Sequence, residues 1–184
     1  MKAILLSLAV LLPSIPSHAM NVASVEFAPQ LYIQGQQLSL DGAGLLRWKG
    51  IFKVYAAGLY REDITADFSL NSDETQVLEI EYLRSVPAKG FVKATELGLE
   101  KTLPAGESLA DWDAQLQTFL AAYQAVEKGD RYRLSVTADE FSLSLNEVEL
   151  YRSADTDLGR RLLGVWLDER SLSPSLRQDL LALN

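Results

Sequence analysis

The chain has 184 residues, of which 48% are apolar, and it carries a formal net charge of −8 with one histidine and no cysteine. The lack of cysteine excludes a disulfide framework, thiol redox chemistry and Cys/His zinc sites. An acidic surface repels phosphate backbones, and no basic stripe with interleaved aromatic residues occurs, so the sequence disfavours nucleic-acid binding.

The N-terminus has the pattern of a cleavable signal peptide. Lys2 supplies a positive start, residues 4–12 form a short apolar core, and Ser17-His18-Ala19 ends a small-residue cleavage signal. The apolar run is too short for a membrane-spanning helix, which needs about 20 residues. We therefore predict a signal peptide over residues 1–19, cleavage after Ala19, a periplasmic location, and a single domain over residues 20–184 without a membrane span.

The first half of that domain has strand patterns. β-branched and aromatic residues over 25–33 and 38–40 predict two early strands. Residues 45–60 are apolar at both odd and even positions, which predicts a strand covered on both faces and bulged or turned near Gly50. Residues 77–84 alternate between apolar and acidic side chains, so they predict a further strand.

Two helices are predicted in the middle of the chain. The first begins at Pro87 and continues to about residue 103. The second, over 107–126, has apolar residues at three- and four-residue steps that should face a sheet. Ser108 with Asp111 resembles a capping box, and Asp111 and Asp113 are both in the first turn, where acidic side chains favour the helix dipole.

The last third predicts three strands followed by two short helices. Apolar and polar residues alternate over 132–136, 141–145 and 148–150, as in an antiparallel meander. A helix follows over 157–168, and Ser173-Pro174 has the pattern of an N-cap with proline in the first turn. Strands first, with helices in the middle and at the end, predict an α+β fold with helices packed on one face of an antiparallel sheet.

Several segments resemble the chalcone isomerase-like family, and most closely its exported bacterial branch. They are GAGLLR at 42–47, FKVYAAGLY at 52–60, LRSV at 83–86, KGD at 128–130, and LGVWL at 163–167 before PSLR at 174–177. The resemblance implies an open-faced β-sandwich with a cleft for a small, mostly apolar ligand. It also implies chemistry without a cofactor, because the plant isomerases of the family cyclise chalcones without one.

The catalytic positions of the family carry over only in part. Arg47 is close to the family's arginine position, and Tyr55 occupies the threonine position. The tyrosine and asparagine positions are taken by Gly90 and Leu97, so both polar groups are missing. Each positioned donor contributes about 3 kcal/mol to transition-state stabilisation in such sites. The sequence therefore favours a protein that is not an enzyme, and no catalytic residue, cofactor or metal is assigned.

Arg47 and Tyr55 are the candidate ligand-binding residues. A guanidinium group on the floor of a sheet pairs bidentately with a carboxylate, such as that of a fatty acid. Alternatively, Arg47 is an exposed strand residue that pairs with one of the many carboxylates. Tyr55 and Tyr60 have opposite parity on one strand, so at most one of them points into a given cleft.

Two other groups of residues fit structural roles. The three tryptophans follow apolar patterns and are predicted to belong to the core, although aromatic walls also suit apolar ligands; they are Trp48, Trp112 and Trp166. Glu147 and Glu149 share a strand face, but no oxygen-rich loop accompanies them. A solvated face is therefore favoured over a calcium site.

Three functions remain open at this stage. The first is a non-catalytic periplasmic protein that binds a small hydrophobic or amphiphilic ligand such as a fatty acid. The second is a cofactor-independent isomerase or lyase that acts on an enone-like substrate with Arg47 and Tyr55. The third is a protein-interaction module of an envelope complex, in which a protein partner covers the sheet face.

Overall fold

The computed structural model describes residues 19–104 and 106–181, and within residues 111–113 it describes the backbone only. The strands are β1 (Met20–Val22), β2 (Val25–Phe27), β3 (Gln30–Ile33), β4 (Gln36–Trp48), β5 (Phe52–Arg61), β6 (Gln76–Tyr82), β7 (Arg131–Val136), β8 (Phe141–Leu145) and β9 (Val148–Ser153). The α-helices are α1 (Ala88–Thr102), α2 (Asp113–Ala121), α3 (Thr156–Leu167) and α4 (Pro174–Leu180).

Strands β3 to β9 form one antiparallel sheet in which the spatial order follows the chain order, while β1 and β2 form a separate hairpin. Helices α1, α2, α3 and α4 contribute buried residues to the main core with one face of the sheet. The predicted α+β fold and the late three-stranded meander are confirmed. In the described part of the chain, no helix is both long and apolar enough to cross a membrane.

The apolar segment over residues 45–60 forms two strands rather than one. β4 and β5 pair as a hairpin, in which Leu45 lies opposite Ala56 and Leu46 opposite Tyr55. Lys49 and Gly50, with φ of 52° and 73°, reverse the chain between them. The sequence predicted either a bulge or a turn near Gly50, and the structure has a turn there. The sequence pattern predicted a single strand here because both β4 and β5 carry apolar residues on both faces.

Residues of β5 alternate between two separate cores. Ala57 and Leu59 belong to the core beneath the helices, whereas Ala56 and Tyr60 belong to a smaller core beneath the β1–β2 hairpin. A Cβ added at Gly58 would lie 2.6 Å from the ring of Phe27. The hairpin therefore closes directly onto the sheet, and this explains why β5 is apolar at both parities.

Helix α4 packs directly against β4. A Cβ at Gly42 would lie 2.4 Å from the carbonyl oxygen of Asp179, and one at Gly44 would lie 2.8 Å from Cδ1 of Leu176. Helix and strand therefore run antiparallel, and the N-terminus of α4 is directed towards the turn between β4 and β5. Ser173 caps this helix as predicted, since its hydroxyl accepts a hydrogen bond from the amide of Leu176 at 3.4 Å.

The helix predicted over residues 107–126 is shorter than its apolar pattern. A 3₁₀ turn over Leu109–Trp112 leads into α2, which ends at Ala121. Val126 instead exchanges two backbone hydrogen bonds with Val86. These distant backbone partners hold residues beyond α2 out of the helix. The predicted capping side chains Asp111 and Asp113 lie outside the described side chains.

A buried ion pair joins β4 to β5. Asp41 is at a register shift between Leu40 and Gly42, and its Oδ2 accepts a hydrogen bond from Nε of Arg61 at 2.7 Å. Both side chains are fully buried. The guanidinium also binds Glu74 and the carbonyl of Ala66, each at 3.2 Å. Arg61 thus connects the central hairpin to the loop before β6.

We expect Arg61→Met to lower the free energy of unfolding by about 3–5 kcal/mol, because it leaves the Asp41 carboxylate buried without its cation. Arg152→Met is the matched control, since Arg152 pairs with Glu140 and Glu149 at the surface, and an exposed pair contributes at most about 1 kcal/mol. Urea denaturation measures both. Equal losses in the two variants would contradict the assignment of Arg61 as a structural residue.

Candidate functional site

An apolar cavity of about 260 Å³ lies between the sheet and the helices. Strand residues such as Leu46 and Ile80 form its floor, and helix residues such as Phe91, Leu162 and Val165 form its opposite wall. An engineered cavity of about 150 Å³ with a similar lining binds benzene. The cavity is therefore large enough for a small hydrophobic molecule and has the wall chemistry to bind one.

The cavity reaches the protein surface between α1 and the segment before α4. Ala94 and Leu172 both line it and are both exposed, Leu172 by 39%. Because α4 runs antiparallel to β4, its N-terminus with Leu172 and Ser173 lies towards the Leu46 end of that strand. The opening is therefore on the side of the β4–β5 turn.

Tyr55 is part of a polar corner in this otherwise apolar wall. Its hydroxyl accepts a hydrogen bond of 2.8 Å from Nε1 of Trp166 on α3. Tyr55 lies directly opposite Tyr82 in the β5–β6 register, and the two rings meet edge to face with centroids 5.6 Å apart. Since the indole donates, the hydroxyl proton of Tyr55 remains available to an acceptor in the cavity.

Tyr82 is the side chain in this corner with an unused hydroxyl. The residue is only 4% exposed and packs edge to face against Phe91 and Tyr132, with ring centroids 5.3 and 6.1 Å away. Among the described residues, none forms a hydrogen bond with its hydroxyl. Because Tyr82 lines the cavity, a ligand oxygen there could accept the proton of this hydroxyl.

The neighbouring hydroxyls already have protein partners. Those of Tyr123 and Thr95 are 2.9 Å apart and hydrogen-bonded. The hydroxyl of Tyr132 donates to the carbonyl of Gln124 and accepts from its amide, at 2.9 and 2.8 Å. The Tyr132 hydroxyl is therefore fully used, one proton of the Thr95–Tyr123 pair stays free, and Tyr82 is the tyrosine of this group whose hydroxyl has no partner among the described residues.

Burial determines the protonation state of these tyrosines. Desolvation raises the pKa of Tyr55, Tyr82 and Tyr123 well above the usual value for a phenol. At Tyr55 the hydrogen bond from Trp166 opposes this rise in pKa but does not cancel it. All three remain neutral at physiological pH, so they act as hydrogen-bond donors and not as general bases.

The two predicted ligand-binding residues have different positions. Tyr55 lines the cavity, and Tyr60 lies on the opposite face, where its hydroxyl donates to the carbonyl of Ala28. Arg47 is exposed, lies opposite Lys53, and does not line the cavity. It also forms no ion pair with any described residue, so it lacks the surface carboxylate partner that the alternative hypothesis required. Its contact with a ligand stays a prediction.

Of the other residues that the sequence analysis singled out, some line the cavity and others lie outside it. Gly90 lines the cavity, whereas Leu97 is 53% exposed and does not. Trp166 is part of the cavity wall, but the core assignment of Trp48 is wrong, because this residue is 55% exposed at the β4–β5 turn. The side chain of Trp112 lies outside the described ones. Tyr82 was missed as a site residue because an aromatic side chain in an alternating strand also fits a core.

Glu147 and Glu149 are exposed and paired with arginines. Arg133 binds Glu147 and Arg152 binds Glu149. Over residues 19–104 and 106–181, no three carboxylate, histidine or cysteine side chains come together in a way that would hold a metal ion.

An open-faced antiparallel sheet with an apolar cavity beneath its helices defines the class of this protein. The sequence profile of the chalcone isomerase-like family matches residues 19–182, and the chain belongs to that family. The crystal structure of a fatty-acid binding protein from Arabidopsis thaliana is similar in fold, with a TM-score of 0.68 and 17% identity, over 89% of this chain and 96% of that one. No curated protein matches the sequence.

Two substitutions test the unpaired hydroxyl in ligand-free protein. We expect Tyr82→Phe to leave the free energy of unfolding nearly unchanged, because no hydrogen bond within the protein is removed. Tyr132→Phe removes two hydrogen bonds to Gln124 and should lower it by about 1 kcal/mol. Urea denaturation distinguishes the two, and a larger loss in Tyr82→Phe would show that its hydroxyl has a partner in the protein.

Alkaline pH should destabilise the fold through the buried tyrosines. Their pKa is raised in the folded state relative to about 10 in the unfolded state. The resulting stabilisation is present below about pH 10 and is lost as the pH rises further. Phenolate absorbance of the folded protein should therefore rise at higher pH than that of the same protein in urea. Coincident titration curves would contradict the burial of these hydroxyls.

Proposed function

We propose that this protein is a non-catalytic carrier for a small hydrophobic or amphiphilic ligand such as a fatty acid, and that it belongs to the exported bacterial branch of its family. We further propose that it acts in the periplasm after cleavage behind Ala19. The observation that carries the binding proposal is the apolar cavity with the unpaired hydroxyl of Tyr82 in its wall.

The cavity has groups suited to both the hydrocarbon chain and the polar end of an amphiphile. Its apolar walls accept a hydrocarbon chain, and each buried methylene contributes about 0.8 kcal/mol. The neutral hydroxyls of Tyr55 and Tyr82 donate hydrogen bonds to a carbonyl or carboxyl oxygen. The name of the similar Arabidopsis thaliana structure, a fatty-acid binding protein, supports this class of ligand.

The positions that carry catalysis in the family's isomerases support binding over turnover. Gly90 and Leu97 replace two polar groups, and Arg47 does not line the cavity that contains Tyr55. The pKa of Tyr55 and Tyr82 is raised by burial, so both stay protonated at neutral pH and supply no phenolate base. A site of this kind can hold an oxygen atom but has no group poised to move a proton at neutral pH.

Titration of the protein with saturated fatty acids of increasing chain length tests the proposal by calorimetry. We expect Ala94→Trp, which fills the opening, to weaken binding at least tenfold. Leu97→Trp is the control, since it adds the same ring to an exposed position of α1 outside the cavity lining. Failure of every fatty acid to bind the wild type, or equal weakening in the two variants, would contradict a ligand site in this cavity.

A second set of variants locates the polar end of the ligand. Tyr55→Phe with Tyr82→Phe removes two donors and should weaken fatty-acid binding about tenfold, at about 0.5–1.5 kcal/mol for each hydrogen bond. If Arg47→Ala has the larger effect, the carboxylate lies outside at the turn, as the sequence predicted. Turnover of a chalcone that is lost in Arg47→Ala would instead identify an isomerase, and co-purification of one defined protein without lipid would favour an envelope module.

A further inference from the structure

The turn between β4 and β5 exposes large apolar side chains. We call residues 47–53 the hairpin tip; it has the sequence RWKGIFK. Trp48, Ile51 and Phe52 are 55%, 75% and 50% exposed, and the rings of Trp48 and Phe52 contact each other with centroids 5.9 Å apart. A cluster of this kind at the surface of a folded domain indicates an interaction site.

The same tip is positively charged within an acidic protein. Arg47, Lys49 and Lys53 are all exposed, and no acidic residue occurs in the sequence between Asp41 and Glu62. Arg84 adds a fourth exposed basic residue beside the tip, because the amide of Leu83 donates a hydrogen bond to the carbonyl of Val54.

These cations form no ion pair with a described carboxylate, and the same holds for Lys89, Lys93, Lys101, Lys128 and Arg177; the tip differs in that its unpaired cations lie beside exposed apolar side chains. In the part of the chain that the structure describes, the ion pairs to carboxylates are made by Arg61, Arg131, Arg133, Arg152, Arg160, Arg161 and Arg170. Neither the three basic residues of the tip nor the adjacent Arg84 forms an ion pair with a described residue. Lys49 instead lies over the ring of Trp48, with Nζ 4.5 Å from its centroid. The tip therefore presents positive charge to an external anion.

We propose that the hairpin tip docks this protein on an anionic lipid bilayer. Tryptophan and phenylalanine partition into the interface between head groups and acyl chains, and lysine and arginine beside them bind anionic head groups. A second copy of this chain fits the tip less well, since two tips would repel each other. The exposed apolar side chains distinguish a bilayer from a soluble anion, which offers nothing to cover them.

The location of the tip agrees with ligand exchange at a membrane. Leu46 and Val54, which immediately precede and follow the tip, both line the cavity. The cavity opening at Leu172 lies on the same side of the molecule as the β4–β5 turn. Docking through the tip would therefore bring the opening towards the source of an apolar ligand, and this functional meaning rests on the proposed carrier function. The docking itself does not.

Vesicle flotation tests the proposal. The wild type should float with mixed phosphatidylcholine and phosphatidylglycerol vesicles, should bind pure phosphatidylcholine much less, and should be released by high salt. Trp48 should shift its emission to shorter wavelength and be quenched by brominated lipid. This signal should disappear in Trp48→Phe, which separates it from Trp112 and Trp166.

Paired variants test which residues are responsible. Ile51→Ser with Phe52→Ser, and separately Lys49→Glu with Lys53→Glu, should each weaken vesicle binding at least tenfold. Tyr32→Ser is the apolar control, since Tyr32 is 66% exposed and lies opposite Gln37, near the other end of β4. Arg152→Glu with Arg160→Glu makes the same change in net charge towards the other end of the sheet, beside Glu140 and Asp73, and should have a smaller effect.

Several results would overturn the docking surface. They are a wild type that does not float, control variants that lose as much binding as the tip variants, and self-association in solution that the tip variants abolish in the absence of vesicle binding. Circular dichroism confirms that each variant folds. Fatty-acid titration without vesicles is independent of flotation, so loss of docking and loss of the carrier function can be told apart.

Discussion

The close packing against the centre of β4 and β5 is the constraint on which the rest of the structure depends. Small residues along both strands let α4 approach one face at Gly42 and Gly44, while Phe27 approaches the other at Gly58. Towards the turn, the strands carry larger side chains such as Leu46 and Tyr55. There the helices cannot approach as closely, and the apolar cavity occupies the space between the layers. The change from small to large residues along one hairpin thus separates a closely packed half, the structural half, from a half that contains the cavity, the cavity half.

Buried polar groups show the same division. In the structural half, the Arg61 guanidinium binds Asp41, Glu74 and a backbone carbonyl, and this satisfies a charge that would otherwise be too costly to bury. In the cavity half, Tyr132 forms two hydrogen bonds with the backbone of Gln124, but Tyr82 has no hydrogen-bond partner among the described residues. Other buried polar atoms, such as Oε1 of Gln76 and Oγ of Ser171, also lack a partner among the described residues, but these residues do not line the cavity, whereas Tyr82 does.

The paired arginines and the unpaired basic residues of the hairpin tip lie in different parts of the molecule. The chain has more acidic than basic residues, and many of its arginines are held in carboxylate pairs, such as the cross-strand pairs of Arg131 and Arg133 with Glu79 on the outer face of the sheet. The hairpin tip lacks acidic residues altogether. Its basic and aromatic side chains therefore remain available to a partner, and they adjoin the strand residues that line the cavity. Tyr55 of the polar corner and the basic, apolar tip are thus parts of one hairpin.

The sequence by itself determined the periodic elements and the family. Alternation identified β6 and the meander of β7, β8 and β9, the Ser173-Pro174 pair identified the start of α4, and short ordered motifs identified the chalcone isomerase-like fold, because each of these signals is local. Only the tertiary structure decided the reversal at Gly50, the early end of α2, the exposure of Trp48 and the unpaired state of Tyr82. These features depend on atoms contributed by distant segments: the cover on both faces of β5, the Val86 backbone that pairs with Val126, and the helix residues that pack against the Tyr82 ring without bringing an acceptor to its hydroxyl. Hydrophobic periodicity records that a side chain is buried, but the partner it meets there is set by the packing of the whole chain.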